Sequence, residues 1–543
     1  MHLTGQMRCS HFCQSVNSPL KISPYFLLPF LKSYGIIGLP NEKEIKMKQL
    51  ISFILILCML LSVTSCALID KMFGKQVPPD YLPPEDTPSA KATPKLNGAD
   101  IIEYTIIYDF EGLDYNKRAA EYINNTLKER FDVKLDVKDD SNAKTEREIV
   151  IGETSRDISR ELDADTSGFE FSMLTKDGSV ALEGDYFVIA AAAYFFMNTY
   201  LIDSDHDFIT EKGVTTHQPI VKEAKNFILL IGDGMGVNQT KLFDYLPDTS
   251  EYSDGESAFY GYMFPSQGFS RTNSFSGTTD SAAGGTALAT GYKTNNKYVG
   301  LDRNGNEIKS LTELAAELGK ATAVMSTESN TGATPSTFSA HTLNRSNSSE
   351  IREDQAALVS KYGTIIDCGY DYYTARYMKT IENHITDTLS KVSKDEDGFF
   401  LMYEEAHIDK HSHDNDMTET FLALIRFNQA IARFMEFAFY NPETMVIITA
   451  DHETGALLPD GNGGLKYNSV DHSSADVPVF AWGDGSDLFM GNTVENIEIA
   501  KHIAKCMGVD NFGDQSKDWY DEIYDKIEKN KNDTDLPIIP VNP

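Results

Sequence analysis

Continuous apolar runs recur along the second half of the chain, and stretches with helical spacing separate them. Runs without polar alternation are typical of strands buried on both faces of a mainly parallel sheet. The strands predicted from them are Phe227 to Ile231, Thr322 to Met325, Phe399 to Tyr403, Met445 to Thr449 and Val477 to Trp482. For residues 223–510 the pattern therefore predicts an α/β fold, in which helices flank a mainly parallel central sheet.

Residues 99–222 show a different pattern, in which shorter strand-like and helical segments alternate. Asp177-Gly178 lies between two apolar segments, which predicts a hairpin. The other predicted elements are strands at Ile101 to Tyr108 and Glu148 to Ile151, and helices at Tyr115 to Arg130 and Asp185 to Tyr200. We interpret this region as a small α+β accessory domain, similar to the sheet domains that precede the catalytic domains of some glycoside hydrolases.

The segment that starts at Met47 has the pattern of an export signal. Lys48 precedes an apolar run from Leu50 to Leu61, and small residues follow before Cys66. This arrangement is typical of a secretory signal, and the run is shorter than the ~20 residues that span a bilayer. The ending resembles a bacterial lipobox, which makes Cys66 the predicted lipidation site.

The boundaries of the terminal segments follow from that signal. Residues 1–46 are interpreted as an upstream misassigned start, and residues 47–65 as a lipoprotein signal peptide. Residues 66–98 are rich in proline, which favours an extended tether over a packed element. The prediction is an exported protein, lipid-anchored at the cell envelope, in which residues 511–543 form a C-terminal helix and tail.

The charge balance excludes several classes of partner. The chain of 543 residues has 48 Lys and Arg against 81 Asp and Glu, a net charge of −33. Such a protein lacks the basic surface that nucleic acids and anionic lipids require. We therefore expect no specific nucleic-acid partner, and membrane contact only through the lipid on Cys66. Six cysteines are too few for a disulfide scaffold of this size. With Cys66 acylated, Cys368 and Cys506 remain in the mature chain and are expected to be buried free thiols.

Candidate chemistry follows the predicted strands, and in parallel sheets ligands bind at the carboxyl ends of strands. Ser281 opens a helix of small residues, where free amides and the helix dipole favour an anion. Asp409 and His413 are four residues apart, so they share one face of a helical turn. Three imidazoles and four carboxylates could hold two zinc-like ions and one harder ion. These candidate ligands are Asp233, Glu404, Asp409, His413, Asp451, His452 and His472.

Taken in their order along the chain, these motifs resemble those of the alkaline phosphatase family over roughly residues 225–507. The resemblance implies a metal-dependent phosphomonoester hydrolase that acts on small substrates through a phosphoserine intermediate. It implies Ser281, in Thr-Asp-Ser-Ala-Ala, as the nucleophile and Arg345 as the clamp on the phosphoryl group. Lys410 matches a lysine beside the zinc-binding aspartate in one bacterial branch of the family.

The resemblance also implies two Zn²⁺ ions and one Mg²⁺ ion as cofactors. The implied ligands are Asp409, His413 and His472 for the first zinc ion, Asp451, His452 and Asp233 for the second, and Asp233, Thr334 and Glu404 for magnesium. The donor atoms of these residues agree with this division, because imidazoles suit zinc whereas magnesium prefers oxygen ligands.

Two departures from the family pattern affect these expectations. At Gly332 the family usually has an acidic residue or a histidine that supports magnesium, so we expect a weakened magnesium site here. Only 19 residues separate His452 from His472. That spacing leaves no room for the inserted crown of vertebrate members, so the resemblance does not imply the dimer interface that the crown supports. The oligomeric state stays open, with a homodimer as the one candidate.

A phosphodiesterase or a sulfatase of the same superfamily is the alternative activity. Sulfatases have a Cys or Ser in a Cys/Ser-x-Pro-x-Arg context, whereas Ser281 is followed by Ala282-Ala283-Gly284. Diesterases of the superfamily generally use threonine and lack the third metal, whereas Thr334 is present here. Surface glycan binding through residues 99–222 is an alternative of a different class.

Overall fold

A computed structural model describes residues 93–110, 114–162, 167–202, 213–245, 258–369 and 379–513. All of these residues lie in one compact unit, within Ser89–Pro543. The predicted misassigned start, the signal peptide, Cys66 and most of the tether lie outside the described residues. No helix within the described ranges is both long enough and apolar enough to cross a membrane.

The first part of the described chain forms a mainly parallel sheet with order β4-β3-β5-β7-β6-β8. The short strands β1 (Lys95–Leu96) and β2 (Ala99–Asp100) pair with each other and precede this sheet. The strands of the sheet are β3 (Thr105–Tyr108), β4 (Asp136–Asp139), β5 (Glu148–Ile151), β6 (Phe171–Lys176), β7 (Ser179–Glu183) and β8 (Val214–His217). Its helices are α1 (Asp114–Phe131), α2 (Asp157–Leu162) and α3 (Ile189–Phe196). Among these described strands, β6 alone runs in the direction opposite to the others.

Two predicted elements of this region differ from the observed ones. The first three residues of the predicted strand Ile101 to Tyr108 form a 3-10 turn, Ile101–Glu103. The Glu103 carboxylate turns back to accept a hydrogen bond from the Asp100 backbone amide at 3.3 Å, which fixes that turn. The predicted helix Asp185 to Tyr200 is α3 flanked by a 3-10 turn and a π-helical segment, Met197–Leu201.

The central sheet has the order β12-β11-β13-β9-β14-β19-β10-β20 in the described part of the chain. Its strands are β9 (Asn226–Gly232), β10 (Ser266–Arg271), β11 (Ala321–Ser326), β12 (Ile365–Cys368), β13 (Phe399–Glu405), β14 (Thr444–Thr449), β19 (Val477–Trp482) and β20 (Thr493–Glu495). The five strands from β12 to β14 are parallel, and β19 is antiparallel to β14 and to β10. The α/β class and all five strands predicted for this region are confirmed.

Helices and two small ladders complete this part of the molecule. The helices are α4 (Val237–Thr240), α5 (Leu242–Tyr245), α6 (Ser281–Thr290), α7 (Leu311–Glu317), α8 (Ala333–Thr337), α9 (Ser348–Tyr362), α10 (Lys379–Val392), α11 (His407–His413), α12 (Met417–Tyr440) and α13 (Asn496–Cys506). The ladders pair β15 (Glu453–Thr454) with β18 (His472–Ser473) and β16 (Leu458–Pro459) with β17 (Leu465–Lys466). Cys368 and Cys506 are free thiols, as predicted, but both residues are half-buried rather than buried.

Helix α12 joins the two sheets through one continuous apolar core. The Phe439 ring packs edge-on against Phe169, with ring centroids 5.2 Å apart. At the same interface, Arg118 Nε of α1 lies 2.8 Å from Glu436 Oε1 of α12. The Arg118 and Glu436 side chains are 25% and 6% exposed, so this ion pair is less accessible to water than a pair on the surface.

Candidate active site

Neighbouring parallel strands deliver acidic side chains to one edge of the central sheet. Asp233 follows β9 directly, Glu404 is the penultimate residue of β13, and Asp451 lies two residues after β14. Because β13, β9 and β14 are parallel neighbours, their carboxyl ends meet at the same edge. All three carboxylates are buried. Buried carboxylates this close together need positive charge or hydrogen-bond donors beside them.

Ser281 is the first residue of α6 and is only 2% exposed. Asp280 caps the helix, because its carboxylate accepts a hydrogen bond from the Ala283 amide at 3.0 Å. The Ser281 hydroxyl oxygen lies 3.2 Å from Nε2 of His452. The serine lies at the anion-favouring start of a helix, as the sequence predicted, and the structure adds a close imidazole.

Around this hydroxyl lies a serine-side cluster, which consists of Asp233, Asp451 and His452. His452 Nε2 lies 3.5 Å from Asp233 Oδ1 and 3.4 Å from Asp451 Oδ2. Gly234 allows the backbone to turn here with a φ of +74°, and a Cβ on it would lie 2.7 Å from the Cα of Asp409. A side chain at position 234 would therefore push Asp409 away from Asp233.

The outer cluster consists of Asp409, His413 and His472. Nε2 of His413 lies 3.4 Å from one Asp409 oxygen, and Nε2 of His472 lies 3.6 Å from the other. One ligand atom from each of the three residues falls within 4.8 Å of the others, and the same holds for Asp233, Asp409 and His452. Asp409 thus lies between the two clusters, and α11 places it and His413 on one face, as their spacing predicted.

The two outer imidazoles are oriented by backbone carbonyls. His472 Nδ1 donates a hydrogen bond to the Thr279 carbonyl at 2.9 Å, and His413 Nδ1 donates to the Val470 carbonyl. Since a carbonyl only accepts, each Nδ1 holds a proton, and in a neutral imidazole the Nε2 then carries a lone pair. The two Nε2 atoms face each other at 3.0 Å. A cation bound by both lone pairs would remove the repulsion between them. Imidazole nitrogens oriented in this way are donors typical of a zinc site.

The oxygen cluster consists of Asp233, Thr334 and Glu404 and contains no nitrogen donor. Asp233 Oδ1, Thr334 Oγ1 and Glu404 Oε1 are buried and have no hydrogen-bond partner within the described residues. The other Glu404 oxygen accepts a hydrogen bond from the Ser326 hydroxyl. Buried oxygens without partners are costly in a protein interior, and a hard divalent cation would satisfy all three.

The pKa shifts at the site have the same electrostatic cause. Burial raises the pKa of Asp451 to about 8, and the nearby charge of Asp409 adds to that shift. Burial also raises the pKa of Asp233 and of Glu404 well above the usual range of carboxyl groups. Burial lowers the pKa of His452, so this imidazole stays neutral and able to bind a metal. The site as a whole favours added positive charge.

Two cationic side chains border the clusters. Arg345 Nη1 lies 3.8 Å from Asp280 Oδ2, beside the start of α6, and the arginine side chain is 35% exposed. It therefore faces solvent next to Ser281, where an incoming anion would arrive. Lys410, on the other side, lies with Nζ 2.7 Å from Glu328 Oε2.

Glu328 is the acidic residue that the sequence analysis missed. It lies two residues after β11, so it belongs to the same edge as the acidic residues that follow β9, β13 and β14. That position was a usable signal, because the carboxyl ends of neighbouring parallel strands converge. The structure brings every predicted site residue in its described part to this edge, and Cys66, which lies outside the described residues, is the exception.

Comparison with known proteins agrees with this geometry. The alkaline phosphatase family model matches residues 224–370 and 367–469, a range that contains every predicted metal ligand except His472. Alkaline phosphatase 3 of Bacillus subtilis is 31% identical over 322 residues, which are 49% of this chain and 70% of that protein. Alkaline phosphatase of Escherichia coli is 24% identical over 407 residues, covering 55% of this chain and 85% of that protein.

Among solved structures, alkaline phosphatase from the Antarctic bacterium TAB5 is 27% identical, with a TM-score of 0.47 over 54% of this chain and 100% of that chain. The sequence relationships and the sheet-edge site define a hydrolase of the alkaline phosphatase superfamily. Within that superfamily, the chain belongs to the alkaline phosphatase family and is a phosphatase.

Proposed function

We propose that this phosphatase hydrolyses small phosphate monoesters through a phosphoserine intermediate on Ser281. The observation that carries the proposal is the position of the Ser281 hydroxyl, at the start of a helix and 3.2 Å from a histidine in a metal-ligand cluster. In the first step Ser281 Oγ bonds to phosphorus, and the bond from phosphorus to the alcohol oxygen breaks. In the second step water attacks the phosphoserine, which releases phosphate and restores the serine.

The proposed cofactors are two zinc ions and one magnesium ion. The outer cluster and the serine-side cluster would each hold one zinc ion, and the oxygen cluster would hold magnesium. When bound, the zinc ions would lower the pKa of the serine hydroxyl and stabilise the attacking and leaving oxygens. The donor sets fit these ions, because the first two clusters offer imidazole nitrogen and the third offers only oxygen.

Protein groups would orient the substrate and the nucleophile. Arg345 presents a planar fork beside the start of α6, which suits two oxygens of one phosphoryl group. The Thr454 hydroxyl donates a hydrogen bond to Asp409 and lies 3.2 Å from Nδ1 of His452. The threonine oxygen therefore accepts a hydrogen bond from Nδ1–H of His452, and the Nε2 lone pair of His452 points toward Ser281.

A comparison of two chromogenic substrates tests the reaction class. We expect p-nitrophenyl phosphate to be turned over at least about a hundredfold faster than bis(p-nitrophenyl) phosphate, because the diester lacks one negatively charged oxygen that Arg345 and the cations would bind. The assay measures kcat/KM for both substrates with the zinc- and magnesium-loaded full chain. Equal rates, or faster diester cleavage, would identify a phosphodiesterase instead.

The proposed location is the cell envelope, with Cys66 as the lipid-carrying residue. We expect Cys66→Ser to prevent acylation, so that the protein is released or keeps its signal segment, while catalysis is unchanged. Mass spectrometry of the N-terminal peptide and membrane fractionation report the outcome. Cys58→Ser, within the apolar run, is the matched control and should remain lipidated. Two results together would contradict the anchor. The Cys66→Ser variant would fractionate like the parent protein, and the parent protein would carry no lipid on Cys66.

A further inference from the structure

Gly332 lies beside the oxygen cluster and leaves a space that another residue fills. A Cβ added to Gly332 would lie 1.8 Å from Glu328 Oε1 and 2.2 Å from Glu328 Cδ. The Glu328 carboxylate therefore occupies the place where a side chain at position 332 would begin. Gly332 itself has a φ of −57° and a ψ of 159°, a conformation open to any residue. Glycine is required at position 332 by the nearby Glu328 carboxylate and not by the backbone conformation.

Lys410 holds the Glu328 carboxylate in that place. The Lys410 ammonium lies 2.7 Å from Glu328 Oε2, and the Glu328 side chain is only 16% exposed. The Ser326 hydroxyl adds a second constraint, because it accepts a hydrogen bond from the Glu328 backbone amide at 3.0 Å and donates one to Glu404. The same serine thus ties the Glu328 backbone to a member of the oxygen cluster.

The negative charge of Glu328 faces the oxygen cluster. It is the strongest charge effect on Glu404, where it adds to the rise in pKa that burial causes. It also adds, more weakly, to the raised pKa of Asp233. Glu328 therefore lies close enough to Glu404 and Asp233 to act on their charges, and the buried oxygens of Asp233, Thr334 and Glu404 have no hydrogen-bond partner within the described residues.

We propose that Glu328 is the fourth acidic or hydroxyl group of the oxygen cluster and holds a magnesium ion there, either directly or through a water on the ion. It replaces, from a different position in the chain, the side chain that Gly332 lacks, and Lys410 fixes its orientation. Magnesium suits this set because it takes only oxygen ligands and keeps several waters. The inference rests on the proposed function, and it replaces the expectation that Gly332 weakens the magnesium site.

Magnesium binding by the zinc-loaded full chain tests this assignment. We expect Glu328→Gln to weaken Mg²⁺ binding by about tenfold or more, the range typical of groups that orient metal ligands. Zinc content should stay at the wild-type value. Equilibrium dialysis against a Mg²⁺ series, followed by elemental analysis for both metals, gives both numbers without an activity assay. Glu317→Gln is the matched control, because Glu317 is also paired with a lysine but lies on α7.

An exchange variant, which moves the carboxylate from position 328 to position 332, distinguishes loss of the ligand from misfolding. Gly332→Ala alone should weaken Mg²⁺ binding, because its Cβ displaces the Glu328 carboxylate and brings no oxygen ligand in exchange. In Glu328→Ala/Gly332→Asp the space is free, and the new aspartate should restore Mg²⁺ affinity to within a few-fold of wild type. Wild-type Mg²⁺ affinity in Glu328→Gln would overturn the assignment. So would an exchange variant that binds Mg²⁺ no better than Glu328→Ala.

The outcome also separates this inference from the proposed function. A chain that hydrolyses p-nitrophenyl phosphate, but whose Mg²⁺ affinity does not depend on Glu328, refutes the Glu328 assignment alone. A chain that lacks phosphomonoesterase activity, but loses Mg²⁺ affinity in Glu328→Gln, supports the Glu328 assignment and refutes the proposed reaction.

Discussion

Replacement of Ser281 by alanine is expected to lower phosphomonoester turnover on the order of a thousandfold or more, because single losses within a catalytic unit have effects of this size. The hydroxyl is the one nucleophile at the start of α6 that lies beside a metal-ligand cluster in the described structure. Without it, water must attack the substrate directly, and no phosphoenzyme can form. Acid quenching of the enzyme with radiolabelled substrate should therefore label the parent and leave the variant unlabelled.

Ser390→Ala is the control for this experiment. Ser390 is an exposed serine on α10, so its loss should leave both turnover and labelling unchanged. Zinc content should be similar in the parent and in both variants, which shows that the metal clusters are intact. Ser281→Ala protein with near-parental turnover would exclude Ser281 as the nucleophile.

Removal of divalent metal is the second change with a large expected effect. A chelator should lower turnover by at least about a hundredfold, because the charge stabilisation supplied by two metals is worth several kcal/mol. Added zinc should restore the activity, since imidazole and carboxylate donors fit that ion. Turnover and elemental analysis are measured on the same samples before chelation, after it and after zinc addition.

Single variants connect that metal requirement to the clusters. His413→Gln should remove one zinc ion per chain, whereas Asp409→Asn should weaken both sites, because Asp409 lies between the two clusters. His217→Gln, in β8 of the other sheet, is the control and should keep the parental zinc content. Full activity in protein that contains no transition metal would refute the zinc proposal.

The sequence predicted the central sheet well because its strands have a simple physical signature. Runs such as Phe227 to Ile231 are apolar throughout, and only a strand covered on both faces by helices buries such a run completely. Residues that follow such strands lie at one edge of the sheet, so Asp233 could be predicted as a candidate together with the other polar residues that follow strands, although its position alone is also typical of a helix cap. The helical spacing of Asp409 and His413 carried similar information.

Prediction failed where local hydrogen bonds decide the backbone. Ile101 has the character of a strand residue, but the Glu103 side chain closes a 3-10 turn there. The position of Glu328 after β11 indicates a place at the sheet edge, but its proposed role beside Gly332 could not be predicted from the sequence. Its role depends on two contacts between distant parts of the chain, the ion pair with Lys410 and the fit into the space at Gly332. Spacing along the sequence does not encode contacts of that kind.

The shared core around α12 limits how the chain can be shortened for laboratory work. A version that begins at residue 223 would keep every proposed ligand but would uncover the aromatic side of α12, including Phe439 and the Tyr440 ring that stacks on Tyr122. It would also leave Glu436 without Arg118. Exposed aromatic surface of this kind promotes self-association, so soluble, active material requires the first sheet as well.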